Sequence, residues 1–449
     1  MNRRRFVRTL GTAALAAPFV TRHLRATPPS TILRHASCGA SGMAWLDIQA
    51  ICHNPFVKLV AVAEVDASKL TELKAAYPDV KVYADWREMF DREGNSLDSV
   101  NISTPDHTHA PIALAAMQLG LHVYCQKPLT HSLHEARVLT RYAEKRPIVT
   151  QMGIQVHTQK PYRQAVALVQ SGTIGRVREV HSWSNKSWGD TGAPPRTKDV
   201  VPDDFAWDLW LAGCPSRPYV GDDYYHPGNW RKRLDFGTGT FGDMGCHILD
   251  PIFEALALTA PRTVRSEGPA PDAWNWPTHA VIRYIFPGTR FTDGETVPVT
   301  WYDGHQRPPA EVLALVHDAS ASAASASSGD IFEQGSIIVG TKGVLHLPHV
   351  ATPRLFPKAD FADFPMPEVA TSHHWSDWAR ACIGDPVAPS APFGYSGPLT
   401  EMVLLGSVAV RFPQATLSWN AARLQFENER AANRFLRRKY RRRWRIDGL

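Results

Sequence analysis

Two short segments of the chain combine side chains that could move a proton on a substrate. Lys127 stands between Gln126 and Pro128, directly after an apolar stretch predicted to be a strand. The proline biases Lys127 away from helical geometry, so the lysine belongs to a loop beyond that strand. Asp243 and His247 are four residues apart, which places them on one face of a helix. A carboxylate beside an imidazole can orient the ring and raise its basicity, as a general base requires, although a surface pair is the alternative.

A turn of small residues near the start of the chain is suited to a dinucleotide. The segment Gly39-Ala40-Ser41-Gly42-Met43-Ala44 lies between a predicted strand and a predicted helix. It approximates G-x-G-x-x-G/A with Ser41 at the second glycine, and a helix N-terminus there favours a pyrophosphate. Glu64 and Asp66 follow the second strand, where an acid meets ribose hydroxyls and disfavours a 2′-phosphate. The pattern predicts NAD, with NADP less favoured; a tight turn that binds no nucleotide is the alternative.

A polar loop follows the next predicted strand, which covers residues 99–102. It contains Ser103-Thr104-Pro105, His107 and His109. Ligands of doubly wound sheets bind outside the carboxyl ends of the strands. We therefore expect these side chains, together with Gln126 and Lys127, to contact the cofactor.

The elements that would position these residues fall into two predicted domains. Strands alternate with helices over residues 30–150, as in a Rossmann, doubly wound parallel sheet of the α/β class. Alternating segments at 177–183 and 279–286 then predict a largely antiparallel open sheet in an α+β domain over residues 151–449. Strand-like segments are predicted at 311–316 and 336–339, and a polar helix is predicted at 427–437. The Ala/Ser-rich residues 319–328 between them are predicted to be a flexible insertion.

The positive charge of the chain is concentrated in its first 26 residues. The 449-residue chain has a formal net charge of +6, and residues 1–26 contain six arginines and no acid. Adjacent arginines precede an apolar stretch at residues 9–20, which is too short to cross a bilayer. This segment resembles a twin-arginine export signal, so we expect a periplasmic protein with no membrane span beyond a possibly uncleaved leader. A disordered basic terminus before a buried helix is the alternative.

Together these segments resemble the Gfo/Idh/MocA oxidoreductase family over residues 30–445. The segments that match are the Gly39 turn, Ser103-Thr104-Pro105, Gln126-Lys127-Pro128 at the family's Glu-Lys-Pro, and the Asp243/His247 pair. Other segments resemble the exported, sugar-directed branch: Gln151-Met152-Gly153, Asn229-Trp230-Arg231, Gly237-Thr238-Gly239, Pro398-Leu399-Thr400-Glu401 and Lys439-Tyr440-Arg441. The resemblance implies that Lys127 lowers the hydroxyl pKa or polarises the new carbonyl. It also implies that Asp243 helps to bind substrate and that His247 is the acid/base, while Gln126 removes one negative charge beside Lys127.

Several further residues are candidates for contact with a carbohydrate. Residues 180–235 are rich in aromatic side chains, which either stack on sugar faces or fill a core. The candidates for substrate contact are Gln155, His157, Trp183, Trp230, Arg231 and His373. No acid or cysteine spacing around the histidines supports a metal site. The six scattered cysteines are predicted to be free, mostly buried thiols.

Three functions are consistent with these residues. The first is an NAD(P)-dependent oxidoreductase that acts on a hydroxyl of a sugar, polyol or glycoside and keeps its cofactor tightly bound. The second is a glycosidase, lyase or epimerase that uses NAD without net redox change, and the third is a non-catalytic binding protein. The basic run at 437–445 could hold nucleic acid, but a solvated face paired with acidic surface is favoured. The resemblance also implies a homo-oligomer.

Overall fold

The computed structural model describes residues 32–317, 333–370 and 372–449. The predicted leader at 1–26 and the predicted insertion at 319–328 lie outside these residues. Within the described ranges, no helix is both long and apolar enough to cross a membrane.

The first domain is a six-stranded parallel sheet with helices between its strands. The strands are β1 (Leu33–Cys38), β2 (Val57–Ala63), β3 (Lys81–Tyr83), β4 (Ser99–Ile102), β5 (His122–Gln126) and β6 (Thr150–Gly153). The helices are α1 (Met43–Cys52), α2 (Thr71–Ala76), α3 (Trp86–Glu93), α4 (Asp106–Gln118) and α5 (Leu133–Glu144). The strand order is β3-β2-β1-β4-β5-β6, so the direction of winding reverses between β1 and β4. Ligands of such sheets bind at this reversal, outside the carboxyl ends of the strands.

The predicted doubly wound sheet is confirmed, and its differences from the prediction are local. Helix α4 begins at Asp106 rather than at residue 110, because Pro105 is extended and the chain turns into the helix directly after it. The last strand, predicted at 148–150, is β6 at Thr150–Gly153.

The second domain is a nine-stranded mixed sheet in the order β13-β12-β11-β7-β10-β9-β8-β14-β15. Its strands are β7 (Val177–Ser184), β8 (Thr263–Glu267), β9 (Val281–Pro287), β10 (Thr296–Asp303), β11 (Gln334–Gly340), β12 (Val344–Pro348), β13 (Arg354–Phe356), β14 (Thr416–Asn420) and β15 (Gln425–Phe426). Neighbouring strands are antiparallel except β7 and β10. The predicted largely antiparallel sheet is confirmed.

Helices accompany this sheet and connect it to the first domain. They are α6 (Lys160–Gln170), α7 (Trp207–Leu211), α8 (Gly239–Ile248), α9 (Asp250–Ala255), α10 (Ala310–Ala314), α11 (His374–Cys382) and α12 (Phe393–Ala409). Short 3₁₀ helices occur at Ala67–Leu70, Gly94–Ser96, Gln155–Thr158, Asn229–Lys232, Lys358–Phe361, Arg430–Phe435 and Arg442–Trp444. Asp243 and His247 both lie on α8, as their spacing predicts.

Two predicted elements are wrong. The strand predicted at 311–316 is helix α10 and the turn after it, because Val312 and Val316 recur at helical spacing and pack in one apolar cluster with Trp183. The helix predicted at 427–437 is only the 3₁₀ turn Arg430–Phe435. The side chain of Asn433 exchanges two hydrogen bonds with the backbone of Phe426, which ties this turn to β15.

The basic run near the C-terminus packs against both domains rather than lying wholly in solvent. Arg438 is half-buried and donates hydrogen bonds to the backbone oxygens of Asp235 (2.8 Å) and His107 (3.2 Å). Tyr440 bonds Glu135, and Arg441 pairs with Asp208. The expectation of a solvated face is therefore wrong for Arg438 and holds in part for Arg441, whose partner is an exposed acid.

The six cysteines are free, as predicted. Four of them are buried and the other two are partly buried, and none forms a disulfide.

A bidentate ion pair joins the two domains between α5 and α12. Arg137 donates from Nε and Nη2 to the carboxylate of Glu401, each at 2.6 Å, and the two side chains are 18% and 10% exposed. A partly buried cation that loses its partner retains its cost of desolvation. Removal of one partner should therefore destabilise the fold far more than removal of one partner of an ion pair in solvent.

We predict that Glu401→Ala lowers the free energy of unfolding by about 3 kcal/mol, measured by urea denaturation. The matched control is Glu88→Ala, which breaks the exposed pair between Arg92 and Glu88 and should cost about 0.5 kcal/mol or less. Equal effects of the two substitutions would show that the buried pair does not join the domains as described.

Candidate active site

The carboxyl ends of β1, β4 and β5 open onto a cleft of about 570 Å³ that the second domain closes from the other side. Most of the predicted site residues line this cleft. They are Gly39, Ser41, Gly42, Met43, Glu64, Ser103, Thr104, Pro105, Gln126, Lys127, Gln155, Trp230, Arg231, Asp243 and His247. The cleft therefore brings the predicted dinucleotide turn and the predicted proton-transfer residues into one space.

The turn after β1 has the backbone that a pyrophosphate requires. Gly39 has a φ of +101°, and a Cβ on this residue would lie 2.9 Å from both the Cβ of Ala44 and the backbone oxygen of Ser103. A larger residue would therefore push the turn away from the loop after β4. Gly42, at a φ of +57°, has open space where its Cβ would be, and α1 begins directly after it. The residues present thus fit NAD, with its phosphates at the N-terminus of α1.

Glu64 lies at the end of β2, where an acid would bind ribose hydroxyls. Its carboxylate accepts hydrogen bonds from the backbone N–H groups of Ala40 (2.9 Å) and Asp66 (3.0 Å). Burial raises the pKa of Glu64 despite these bonds. Asp66, the other acid of this segment, instead bonds His226 at 2.8 Å. Of these two acids, Glu64 is therefore the one that lines the cleft and could bind ribose hydroxyls.

Lys127 and Asp243 form the central contact of the cleft. The Lys127 Nζ donates to the Asp243 Oδ1 at 2.7 Å and to its backbone oxygen at 3.1 Å. The loop after β5 and helix α8 are thereby joined across the two domains. Both side chains are largely buried, which strengthens the attraction between the two charges.

The carboxylate of Asp243 is surrounded by donors. Its Oδ2 accepts from the indole Nε1 of Trp188 at 2.8 Å, and the Arg231 Nε lies 3.4 Å from its Oδ1. The Lys186 Nζ is 3.6 Å from Oδ2. Burial alone would raise the pKa of Asp243, but Lys127, Arg231 and Lys186 outweigh it and hold that pKa well below its usual range. Asp243 is therefore an anion that positions cations, and it does not exchange protons near neutral pH.

His247 faces the same cleft as a neutral imidazole. Burial, Lys127 and His349 lower its pKa well below the usual value, and together they outweigh Asp243. Its buried Nδ1 has no hydrogen-bond partner within the described ranges. Asp243 raises the pKa of His247, as expected, but burial, Lys127 and His349 outweigh this effect and the net basicity of the ring falls. A neutral imidazole can still accept a proton from a hydroxyl.

Gln126 bonds a buried acid that sequence reasoning missed. Its Nε2 donates to the Asp47 Oδ2 at 2.9 Å, and Asp47 lies on α1. The same carboxylate accepts from the Ser103 Oγ (2.7 Å) and from the Trp375 Nε1 (2.8 Å). A carboxylate therefore stands next to position 126 although the family's glutamate is absent. Asp47, through Gln126, connects α1 to the loop that carries Lys127.

Two residues predicted to contact the cofactor lie behind the cleft instead. The ring of His107 bonds the backbone oxygen of Trp210 at 2.9 Å and packs between aromatic side chains. The ring of His109 joins the backbone oxygens of Thr104 and Pro128, each at 2.8 Å. Neither histidine is among the residues that line the cleft. His109 instead links the loop after β4 to the loop that carries Lys127.

Three predicted substrate residues also lie outside the cleft. His157 is buried and bonds both oxygens of Asp250, at 3.0 and 2.9 Å. Trp183 is completely buried and stacks on His346 in the apolar cluster under α10. His373 is exposed at the N-terminus of α11. Of the predicted substrate contacts, Gln155, Trp230 and Arg231 remain.

The cleft also contains side chains that no local pattern indicated. Those beyond the predictions include Lys186, Trp188, Trp210 and His226. They lie between β7 and α8: Trp210 is on the short helix α7, and the other three are on irregular loops, where no periodic spacing predicts which side chains face the cleft. The one sequence feature that pointed to this region was the high aromatic content of residues 180–235. That content does not distinguish a tryptophan that lines the cleft, such as Trp188, from one that packs in a core. Within the described ranges, no group of three or more His, Cys, Asp or Glu could hold a metal ion.

The chain belongs to the Gfo/Idh/MocA oxidoreductase family. Residues 33–154 match the model of this family's NAD-binding Rossmann fold, and residues 163–295 match its C-terminal alpha/beta domain. The first domain is thus an NAD-binding domain, as predicted.

Individual relatives are distant. Levoglucosan dehydrogenase of Pseudarthrobacter phenanthrenivorans is 23% identical over 42% of this chain and 40% of its own length. Inositol 2-dehydrogenase 4 of Saccharopolyspora erythraea is 27% identical over 34% of this chain and 46% of its own length. The matched part of the chain thus spans less than half of either relative.

Solved structures share the fold over nearly the whole of their length. The WlbA dehydrogenase of Bordetella pertussis, in complex with NADH and UDP-GlcNAcA, has a TM-score of 0.59 at 14% identity, and the match covers 87% of this chain and 99% of its own. An inositol dehydrogenase homolog of Azotobacter vinelandii, with NADH and myo-inositol, has a TM-score of 0.55 at 16% identity, covering 86% and 98%. At this identity the likeness shows the fold alone.

We predict that Gln126→Glu is destabilising on its own and is rescued by Asp47→Asn. The substitution would bring a second carboxylate within hydrogen-bond distance of buried Asp47, which should cost about 3 kcal/mol of unfolding free energy at pH 8. Asp47→Asn in the same chain removes that repulsion. A double-mutant cycle by urea denaturation measures the coupling. Additive effects would contradict the contact.

We also predict a pH-dependent stability difference between the natural chain and Asp47→Asn. Burial raises the pKa of Asp47 to about 6, against hydrogen bonds from Trp375, Gln126 and Ser103. Since the folded state then binds the proton more tightly than the unfolded state, the natural chain should lose stability relative to Asp47→Asn as pH rises from 4 to 7. The loss should be about 3 kcal/mol. Urea denaturation at several pH values measures it, and a difference independent of pH would contradict the raised pKa.

Proposed function

We propose that the protein is an NAD-dependent oxidoreductase that acts on a hydroxyl of a sugar, polyol or glycoside. One observation supports this most directly: Lys127, Asp243 and His247 share a cleft with the Gly39 turn and Glu64. Family membership supports the reaction class. The dehydrogenases of levoglucosan and inositol among the relatives support a carbohydrate or polyol as the substrate class.

The roles of the residues follow from their geometry and charge. The chemistry that NAD supplies when bound is acceptance of a hydride from the carbon that carries the hydroxyl. His247, held neutral in the cleft, accepts the hydroxyl proton. The Lys127 ammonium donates a hydrogen bond to the same oxygen and stabilises the negative charge that develops there. Asp243 is a positioning residue that holds the Lys127 Nζ at 2.7 Å.

Aromatic side chains shape the part of the cleft next to this cluster. Trp188, Trp210 and Trp230 line it, and Arg231 lies over the ring of Trp230 at 4.3 Å. Indole faces pack on the C–H surfaces of sugars and exclude water from the reacting oxygen. Trp188 in addition donates a hydrogen bond to Asp243, so its ring and the catalytic lysine are held by the same carboxylate.

We propose further that the cofactor stays bound between turnovers and that the protein is exported. The support is the twin-arginine pattern at residues 1–26, since an exported enzyme has no ready supply of NAD. The same pattern favours a second candidate reaction. In that reaction the hydride is returned to the substrate after elimination or epimerisation, so the enzyme cleaves or isomerises a glycoside with no net redox change.

The cofactor is tested by mass spectrometry of the protein purified from the periplasm of its host, native and then denatured. The expected result is one NAD released per chain, and the mass of the chain shows whether the leader has been removed. Absence of NAD together with millimolar binding of added NAD would overturn tight binding. Absorbance at 340 nm with a panel of sugars then separates the two reactions, because only net oxidation accumulates NADH.

We predict that Lys127→Ala and His247→Ala each lower kcat/KM by at least about 100-fold. The released NAD should stay near one per chain, because the pyrophosphate and ribose contacts are made elsewhere. His373→Ala is the matched control, since this exposed histidine lies outside the cleft and should retain full activity.

Activity of either cleft variant within about threefold of the natural chain would contradict these roles. Thermal unfolding of each variant checks that the fold is intact. Loss of activity in His373→Ala to the same extent would show that the assay reports general instability instead.

A further inference from the structure

The part of the cleft around Asp243 has more cations than anions. Lys127, Arg231 and Lys186 approach this one carboxylate at 2.7, 3.4 and 3.6 Å. His247, which lies on the same helix as Asp243, is neutral because burial, Lys127, His349 and Lys186 lower its pKa. An uncompensated positive charge beside a substrate site attracts a negative group.

The other acids that line the cleft do not balance this charge. Glu64 is at the opposite end, against the backbone N–H groups of the dinucleotide turn. Asp106 is buried at the start of α4 and accepts a hydrogen bond from the Thr238 Oγ1 at 2.7 Å. Burial raises the pKa of Asp106, while His109, Thr238, Arg231 and Lys127 lower it. Even when Asp106 is counted as an anion, three cations face two carboxylates, so at least one positive charge remains around Asp243.

Lys186 and Arg231 are the two cations with room for a ligand. Their side chains are 43% and 29% exposed, whereas Lys127 is 15% exposed and is taken up by Asp243. The Arg231 guanidinium lies 4.3 Å from the ring of Trp230 and 5.4 Å from that of Trp188. These rings hold a planar set of donors beside the reacting centre. Such a set matches the paired oxygens of a carboxylate, sulfate or phosphate.

We propose that the substrate is an anionic sugar or polyol, whose carboxylate, sulfate or phosphate is bound by Lys186 and Arg231 while its hydroxyl faces Lys127 and His247. This inference rests on the proposed function for the reacting hydroxyl. Binding of the anionic group does not depend on the redox step. The expected pyrophosphate site is the turn at Gly39, so the cofactor does not account for these two cations.

The test compares matched ligands on the NAD-loaded protein by quenching of tryptophan fluorescence, because four tryptophans line the cleft. Glucose is compared with glucuronate, glucose 6-sulfate and glucose 6-phosphate, and galactose with galacturonate. At least one anion should bind about tenfold more tightly than its neutral partner, and the preference should shrink as salt is raised. Which anion is preferred distinguishes a carboxylate from a sulfate or phosphate.

Lys186→Gln should reduce this preference by at least about fivefold. Lys198→Gln is the matched control, because Lys198 is an exposed lysine of the same connection outside the cleft and should keep the full preference. Equal binding of every anion and its neutral partner would overturn the proposal. Loss of bound NAD in Lys186→Gln with the sugar preference intact would also overturn it, because Lys186 would then serve the cofactor phosphates.

These outcomes separate the inference from the proposed function. If anions bind preferentially but no sugar reduces NAD, the result supports an anionic substrate and contradicts net oxidation. If neutral sugars reduce NAD while anions neither bind nor react, the result supports the proposed oxidation and contradicts the anionic substrate.

Discussion

The active site depends on one buried carboxylate. The Asp243 carboxylate lies within 3.6 Å of Lys127 from the first domain and of Arg231, Lys186 and Trp188 from the second domain. Without this carboxylate the three cations would repel one another in a partly buried space. The carboxylate thus joins the two sides of the cleft, orients Lys127 and sets the local charge.

The neighbouring residues act as supports for this arrangement. His109 ties together the loops after β4 and β5, and Gln126 connects the lysine loop to α1 through Asp47. The family pattern has a glutamate at position 126, whereas this chain has a glutamine there that bonds a carboxylate on α1, the helix that follows the dinucleotide turn. The effect of a substitution at Gln126 therefore depends on the charge of Asp47, and the reverse also holds.

The sequence was sufficient to predict features that depend on residues close together in the chain. Alternating strands and helices predicted the parallel sheet, Gly39 and Gly42 marked the turn, and the i, i+4 spacing placed Asp243 and His247 on one face. Contacts between distant segments were not predictable in this way. Asp47 meets Gln126 across 79 residues, and Lys186 reaches the cleft from an irregular loop. The side chains of His107 and His109 point away from the cleft although their neighbours line it.

The central claim is that the cleft holds the nicotinamide against Lys127 and His247. A crystal structure of the NAD-bound protein at high resolution tests it most directly. We expect the nicotinamide C4 to face an open space bounded by the Lys127 Nζ and the His247 ring, with the pyrophosphate on the Gly39 turn and the ribose on Glu64. A nicotinamide outside this space, or a Lys127 that has left Asp243 and points away from the ring, would contradict the account.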